Sequence, residues 1–173
     1  LAENVAGVSA GAHSSVFLTL GTGVGGGIVI GGKVWSGFHG VGSEIGHMII
    51  EMDGNPCNCG NRGCLERYCS ATAIILAARA AVNQYQDSAI MVKCEGDPMK
   101  INAKMVFDAA KEGDELGLKL FNEYVKALST TIVNIIHFLD PEVIALGGGV
   151  SKAGDFLLDA LRKEVAHLVM YKT

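Results

Sequence analysis

The sequence lacks the features by which nucleic-acid-binding and membrane proteins are commonly recognised. Its formal net charge is −4, so there is no surplus of positive charge to attract nucleic acid or an acidic lipid surface. Its apolar stretches are interrupted well before the roughly 20 residues that a membrane-spanning helix needs. A low-complexity segment and a repeat of solenoid length are also absent. We therefore expect no nucleic acid and no membrane among the partners of this chain.

The composition is that of a chain that can fold around a core. Of the 173 residues, 49% are hydrophobic and 18% are charged, which is enough apolar material for one sizeable domain. We predict a single domain over residues 1–173. Residues 1–12 are expected to form the tail of a helix that begins upstream, and no finishing element is evident before Thr173. The chain is therefore expected to be a fragment of a longer protein.

Hydrophobic periodicity predicts an α/β order of elements. Strands are predicted where short apolar runs stand beside glycines, and helices where apolar residues recur every three to four positions. The predicted strands cover residues 16–20, 27–30, 33–36 and 143–146. The predicted helices cover residues 65–85, 103–112, 155–168 and a long segment between caps at Asp114 and Asp140-Pro141. The remaining segments, at 21–27, 37–64 and 86–100, are predicted to be a glycine-rich turn, a loop and a connector.

The first candidate site is the segment LTLGTGVGGGIVI, residues 18–30. Two strands joined by a glycine loop allow backbone N–H groups to point at phosphate oxygens, and Thr22 adds a hydroxyl donor. An ordinary hairpin would need only about two glycines, and this segment has more, so phosphate binding is favoured over a purely structural turn. The pattern is neither the dinucleotide-binding GxGxxG nor the GxxxxGK[ST] loop, since no helix opens here.

The second candidate site is a cluster of cysteines that follows a histidine. His47 precedes Cys57, Cys59 and Cys64, and a Cys₃His set is a ligand set suited to tetrahedral zinc. Five cysteines are an odd count, and the crowding of three of them into residues 57–64 indicates metal binding in a reducing cytoplasm rather than a secreted disulfide framework. Because four protein ligands leave no open position for a water molecule, we expect a structural zinc. The two remaining cysteines are expected to be inert core thiols; they are Cys69 and Cys94.

The third candidate site is VIALGGGVS, residues 143–151. A buried strand that runs into three glycines and then a helix is a common geometry for nucleotide contact. It is equally common as an ordinary turn between a strand and a helix, so this segment alone favours neither interpretation.

Taken together, these segments resemble the ROK family of bacterial sugar kinases and sugar-responsive repressors. LGTGVGGG resembles the family's second phosphate motif, EIGH followed by CNCGNRGCLE its sugar-and-zinc signature, and LDPEVIALGGGVS its adenosine-side motif. The resemblance implies an α/β fold of the ribonuclease H-like type shared by actin, hexokinase and Hsp70 ATPases. In such a protein two lobes close over a cleft, and this chain would be the larger, C-terminal lobe.

The resemblance also assigns roles to individual residues. Sugar hydroxyls would be contacted by Glu44, His47 and Glu66. The phosphates of ATP would face Gly21, Thr22, Gly23 and Gly25, and its adenosine side would face Gly147, Gly148 and Gly149. His47 would have two roles, since one imidazole nitrogen can bind zinc while the other donates to a sugar hydroxyl.

The resemblance implies ATP- and Mg²⁺-dependent phosphorylation of a hexose, most simply glucose to glucose 6-phosphate, by a cytoplasmic homo-oligomer, a dimer or a tetramer. No catalytic residue is assigned in this chain, because the family's base aspartate and its first phosphate loop would lie upstream. We therefore expect the 173-residue chain to be inactive alone. The alternative is the sugar-sensing domain of a repressor, which would share these motifs and carry a DNA-binding segment upstream.

Overall fold

A computed structural model describes residues 7–171. Four strands and six α-helices follow one another in this part of the chain, with four short 3₁₀ turns between them. The strands are β1 (Ser14–Leu20), β2 (Val24–Ile30), β3 (Lys33–Val34) and β4 (Val143–Gly147). The helices are α1 (Glu66–Cys69), α2 (Ala71–Ala81), α3 (Ala89–Lys93), α4 (Ala103–Lys111), α5 (Glu115–Leu139) and α6 (Asp155–Leu168). The 3₁₀ turns are Ile45–His47, Val82–Gln84, Pro98–Lys100 and Val150–Ala153.

The strands form one mixed sheet in the order β3-β2-β1-β4. Strands β1 and β2 make an antiparallel hairpin in which Leu20 faces Val24 across the turn. Strand β4 joins the other side of β1 in parallel, with Gly147 beside Thr19. Alternate residues of β1 (Val16, Leu18 and Leu20) are buried in the core, as a period of two predicts for a half-covered strand.

The long helix α5 forms the spine of the core. Asp114 caps its start by accepting a hydrogen bond from the N–H of Gly117 at 2.7 Å, and Asp140 ends it in a left-handed conformation with φ 44°. Helix α5 packs against α4 and α6, and a buried stripe that includes Leu120, Tyr124 and Leu128 fills the interface. The predicted cap at Asp114 and the predicted end before Pro141 are both confirmed.

The predicted helix over residues 65–85 is wrong as a single element. Ser70 is extended, with ψ 157°, and its hydroxyl accepts the N–H of Ala73 at 3.0 Å, so a new helix begins there. The result is a short helix α1, a corner at Ser70 and a separate helix α2. A buried serine that caps a helix therefore decides where the helix begins, even where the apolar periodicity of the sequence continues without a break.

Three further predictions of local structure need correction. The predicted connector over 86–100 contains helix α3, whose N-cap is Ser88. The predicted glycine turn over 21–27 is shorter, because β2 already begins at Val24 and pairs with β1. Of the helix expected over residues 1–12, residues 1–6 lie outside the described part of the chain, and residues 8–11 form a turn.

Two predictions about the rest of the chain can also be compared with the structure. The thiols of Cys69 and Cys94 are fully buried, as expected of core residues. Within residues 7–171, no helix combines the length and the apolar character that a membrane crossing requires.

Candidate functional site

Two of the candidate segments meet at one edge of the sheet. Because β1 and β4 are parallel neighbours, the turn after β1 and the glycines after β4 leave the sheet side by side. Gly148 has φ +87°, and a Cβ there would lie 2.5 Å from the carbonyl oxygen of Leu20. A glycine is thus needed for β4 to end this close to β1. The carboxyl ends of parallel strands are where open α/β sheets commonly bind ligands.

Residues 21–23, which we call the glycine loop, are anchored to the start of helix α2. The carbonyl oxygen of Gly21 accepts the N–H of Ala71 at 2.7 Å, and that of Thr22 accepts the hydroxyl of Thr72 at 2.8 Å. In a planar trans peptide the N–H points opposite to the carbonyl. The N–H groups of Thr22 and Gly23 therefore point away from α2, and the loop can offer them to an anion.

The other two residues predicted to face phosphate are placed differently. The N–H of Gly21 donates to the carbonyl of Gly23 at 3.0 Å, so it already has a partner in the protein. Gly25 lies within β2 opposite Thr19, and no atom beyond its neighbours lies closer than 4.0 Å to the position of a Cβ. Gly25 is exposed, so it can border a ligand at this edge but does not belong to the loop.

The segments that carry the residues predicted to bind sugar contact the hairpin at Val24. Oε2 of Glu66 accepts the N–H of Val24 at 2.9 Å. Gly46 packs on the same residue so closely that a Cβ would lie 2.1 Å from the carbonyl oxygen of Val24. The side chain of Glu44 is exposed and makes no capping hydrogen bond, although it stands at the N-cap of the Ile45–His47 turn. Its carboxylate is therefore available to a ligand.

The four predicted metal ligands converge on one point. Nδ1 of His47 lies 3.6 Å from Sγ of Cys57, and Sγ of Cys59 lies 3.6 Å from Sγ of Cys64. No two of the four ligand atoms are more than 4.8 Å apart. A tetrahedral zinc ion would separate two sulfurs by roughly 3.8 Å, and a sulfur and a nitrogen by roughly 3.6 Å. The donor set and its spacing therefore fit zinc.

Residues 51–64, the cysteine loop, are folded by tight turns rather than by apolar packing. The N–H of Cys57 donates to the carbonyl of Asn61 at 2.8 Å, and the N–H of Gly63 donates to that of Asn55 at 2.9 Å. Gly63 has φ +77°, and a Cβ there would lie 1.7 Å from the carbonyl oxygen of Glu51. The turns that bring the sulfurs together thus depend on particular glycines.

The thiols of the cluster differ in their ease of ionisation. Burial raises the pKa of Cys64 to about 12. The backbone hydrogen bond from Asn61, the largest influence, lowers the pKa of the exposed Cys59 to about 7. A cation that binds here must therefore displace a proton from the buried Cys64, whereas Cys59 ionises near neutral pH.

A cavity opens beyond the glycines that follow β4. Its volume is about 560 Å³, and it lies between α4 and the 3₁₀ turn Val150–Ala153. The residues that line it include Phe107, Asn102, Lys111 and Gly149. No atom beyond its neighbours lies within 4 Å of a Cβ position on Gly149, so a ligand could approach the backbone there.

Several residues of this site could not be identified from the sequence. Thr72 and Ala71 hold the glycine loop, and Asn102 and Lys111 line the cavity, but none belongs to a recognisable local motif. The one available signal was Ser70, whose ability to cap a helix would have placed Ala71 and Thr72 in a first helical turn.

Comparison with known proteins places the chain in a family. The model of the ROK family matches residues 1–173. The chain belongs to the ROK family. It is 42% identical over 170 residues to a glucokinase of Thermotoga maritima, covering 98% of this chain and 53% of that protein.

Solved structures of the ROK family support the fold. The crystal structure of a ROK family glucokinase from Streptomyces griseus, in complex with glucose and AMPPNP, aligns with a TM-score of 0.90 at 32% identity. The alignment covers 98% of this chain and 55% of that one. A ROK family transcriptional regulator, a homolog of the E. coli MLC protein, aligns over 98% of this chain and 41% of its own with a TM-score of 0.80 at 30% identity.

The predicted fold class is thereby confirmed at the level of its α/β architecture, which is that of the actin- and hexokinase-like ATPases. The chain spans about half the length of the glucokinases that it matches.

Proposed function

We propose that this chain forms the C-terminal, sugar- and nucleotide-binding lobe of an ATP-dependent hexose kinase, with glucose as the sugar. The observation that carries the proposal is the contact between Glu66 and Val24. This contact places Glu66, one of the predicted sugar residues, directly beside the glycine loop. A kinase needs this arrangement, because the acceptor hydroxyl must lie next to the terminal phosphate of ATP.

On the nucleotide side, the backbone N–H groups of Thr22 and Gly23 bind the phosphates. The glycines Gly147, Gly148 and Gly149 border the adenosine, which lies in the cavity between α4 and the Val150–Ala153 turn. Gly21 supports the loop through its own hydrogen bonds, and Gly25 leaves the edge open to the phosphates. ATP arrives as its Mg²⁺ complex, whose charge neutralises the phosphate oxygens during transfer.

On the sugar side, Glu44 and Glu66 accept hydrogen bonds from hydroxyl groups. Because Nδ1 of His47 faces Cys57, its Nε2 is the nitrogen that reaches the sugar. His47, Cys57, Cys59 and Cys64 would hold a structural zinc. With Nδ1 as the zinc ligand, Nε2 of His47 would carry the ring hydrogen and would donate it to a sugar hydroxyl.

The chemical step requires a general base, and the resemblance to the ROK family assigns that role to no residue of this chain. A hexose hydroxyl loses its proton to a base, its oxygen bonds to the γ-phosphorus of ATP, and ADP leaves. None of the residues described at this edge is placed as that base. We propose that an aspartate outside this chain removes the proton, and that the kinase works as a homo-oligomer.

The test is phosphorylation of a panel of hexoses by the full-length protein, followed by coupled detection of ADP and identification of the product. We expect glucose 6-phosphate from glucose and no turnover by the 173-residue chain alone. Robust glucose phosphorylation by the isolated chain would contradict the assignment of the base to another part of the protein.

The alternative function is sugar sensing by a transcriptional repressor, and the likeness to a ROK regulator favours it. The higher identity to glucokinases and the glycine loop favour the kinase. Sugar-dependent DNA binding by the full-length protein, with no phosphorylation of any hexose, would support the repressor instead.

A further inference from the structure

The carboxylate of Glu66 contacts the glycine loop as well as facing the sugar side. Its Oε2 accepts the N–H of Val24, the first residue of β2, at 2.9 Å. A Cβ on Gly23 would lie 2.4 Å from the same oxygen, so the loop packs directly on the carboxylate. A side chain at position 23 would therefore displace the carboxylate of Glu66, and the glycine leaves room for this contact.

Only one of the two oxygens is used by the protein. Within residues 7–171, no group donates a hydrogen bond to Oε1 of Glu66. A carboxylate can accept about four hydrogen bonds through its two oxygens. One Glu66 side chain can therefore hold the loop through Oε2 and bind a sugar hydroxyl through Oε1 at the same time.

The other contacts to the loop come from the same stretch of chain. The N–H of Ala71 holds the carbonyl of Gly21 at 2.7 Å, and the hydroxyl of Thr72 holds the carbonyl of Thr22 at 2.8 Å. Ala71 and Thr72 lie five and six residues after Glu66, at the start of the helix that follows α1 and the corner at Ser70. Hydrogen bonds thus hold the backbone at three positions, by Ala71 at Gly21, by Thr72 at Thr22 and, just after the loop, by Glu66 at Val24.

We propose that Glu66 couples the two substrates of the proposed kinase, with Thr72 as a positioning residue for the nucleotide alone. A sugar hydroxyl bound at Oε1 restricts rotation of the carboxylate, which keeps Oε2 on Val24 and the loop in its phosphate-binding form. By thermodynamic reciprocity, nucleotide bound to the loop must raise sugar affinity by the same factor. This inference rests on the proposed function, because it needs a sugar on one side and a phosphate on the other.

The variants separate the two contacts of Glu66. In Glu66→Gln the amide oxygen can still accept from Val24, but an NH₂ group replaces the second acceptor. Glu66→Ala removes both contacts. Thr72→Val removes the hydroxyl from the loop, and Thr72→Ser restores it. Thr130→Val is the matched control, since its hydroxyl bonds only the carbonyl of Lys126 in its own helix.

The experiment has two measurements on the full-length protein. The first is the affinity for glucose with and without a non-hydrolysable ATP analogue, by calorimetry, together with the KM for each substrate. The second is amide hydrogen exchange at Val24, which reports the loop contact whether or not the protein is a kinase. A wild-type protein that phosphorylates no hexose would contradict the proposed function, while the exchange at Val24 would still test the Glu66 contact.

We expect Glu66→Ala to raise both KM values, speed exchange at Val24 and abolish the coupling between sugar and nucleotide. Loss of a hydrogen bond to a charged group corresponds to about a tenfold effect or more. Glu66→Gln should raise mainly the KM for sugar. Thr72→Val should raise the KM for ATP alone, with recovery in Thr72→Ser and no change in Thr130→Val. The proposal is overturned if Glu66→Ala raises only the KM for sugar and leaves exchange at Val24 unchanged.

Discussion

The β1–β2 hairpin and the cysteine loop contribute to the same site but are held in place by different forces. The hairpin pairs over seven residues of each strand, and its inward side chains are buried in the core. The cysteine loop is joined by two isolated bridges, between Ile49 and Cys64 and between Pro56 and Arg62. The hairpin therefore derives its shape from burial and strand pairing. The cysteine loop instead depends on its glycine turns and on a metal ion at the cluster of one histidine and three cysteines.

The largest effect that this comparison predicts is that of metal removal. Structural zinc contributes roughly 10 kcal/mol or more to the folding of small zinc-binding peptides. Chelation, or Cys64→Ser, should therefore abolish protection from hydrogen exchange over residues 51–64 and leave that of β1 and β2 nearly intact. Metal analysis of the untreated protein should give one zinc per chain. His47→Ala should act in the same way and also weaken sugar binding by the full-length protein.

Cys94→Ala is the control for the metal-removal experiment, because Cys94 is a buried thiol outside the cluster. It should leave the zinc content and the protection of the loop unchanged. A disulfide between Cys57 and Cys64 in protein never exposed to a chelator, with no metal present, would contradict the zinc assignment.

A pair of glycine substitutions tests the turns of the cysteine loop. In Gly63→Ala the new Cβ would meet the carbonyl oxygen of Glu51 at 1.7 Å, so the backbone must move and the loop should lose its metal. In Gly60→Ala, φ is also positive at +94°, but no atom beyond its neighbours lies within 4 Å. This second change should cost only about 1–2 kcal/mol, the usual strain of a left-handed residue. Chemical denaturation gives the free energy of unfolding of each variant, and metal analysis gives its zinc content. Equal losses in the two variants would show that the contact with Glu51 is unimportant.

Two substitutions at neighbouring glycines of the β1–β2 hairpin, Gly25 and Gly26, can be compared in the same way. Gly25→Val places a side chain on the exposed edge without a clash, so the fold should persist while the KM for ATP rises about tenfold or more and that for sugar changes little. Gly26→Val should instead destabilise the hairpin, since a Cβ there would lie 2.3 Å from the carbonyl oxygen of Ser43. Melting temperature and steady-state kinetics distinguish the two. Unchanged kinetics in Gly25→Val would mean that no phosphate lies near this residue.

The smallest predicted effect is that of a substitution at Ser70, the corner between helices α1 and α2. Ser70→Ala removes the N-cap of α2 and should destabilise the protein by about 1 kcal/mol. Ser88→Ala, which removes the cap of α3 together with a hydrogen bond to Asp114, is a control of similar burial that lies away from the glycine loop. Only the change at Ser70 should also raise the KM for ATP, because α2 carries the contacts to the glycine loop. If the two variants behave alike, the loop does not depend on the position of α2.

The features that could be predicted from the sequence are those encoded by neighbouring residues. The cysteine spacing led to a cluster that the structure does assemble, and Asp114 was correctly identified as a helix cap. Most of the features that were missed depend on contacts between distant segments. Thr72 holds a carbonyl 50 residues away, and Glu66 holds an N–H 42 residues away, with no local pattern to mark either role. The corner at Ser70 was missed because apolar periodicity continues through it.

The parallel pairing of β1 with β4 has a consequence for the order of folding. The β1–β2 hairpin joins two strands that are adjacent in sequence and can form within microseconds. The other side of β1 can pair only after β4, which lies more than 120 residues further along the chain, has been made. The hydrogen bond from the N–H of His13 to the carboxylate of Glu142 spans 129 positions and joins the same two distant parts of the chain. Contacts of such separation are slow to form. During synthesis, therefore, the cysteine loop is complete well before β4 is made, and with the proposed zinc and nucleotide sites the emerging chain should bind zinc earlier than it binds ATP.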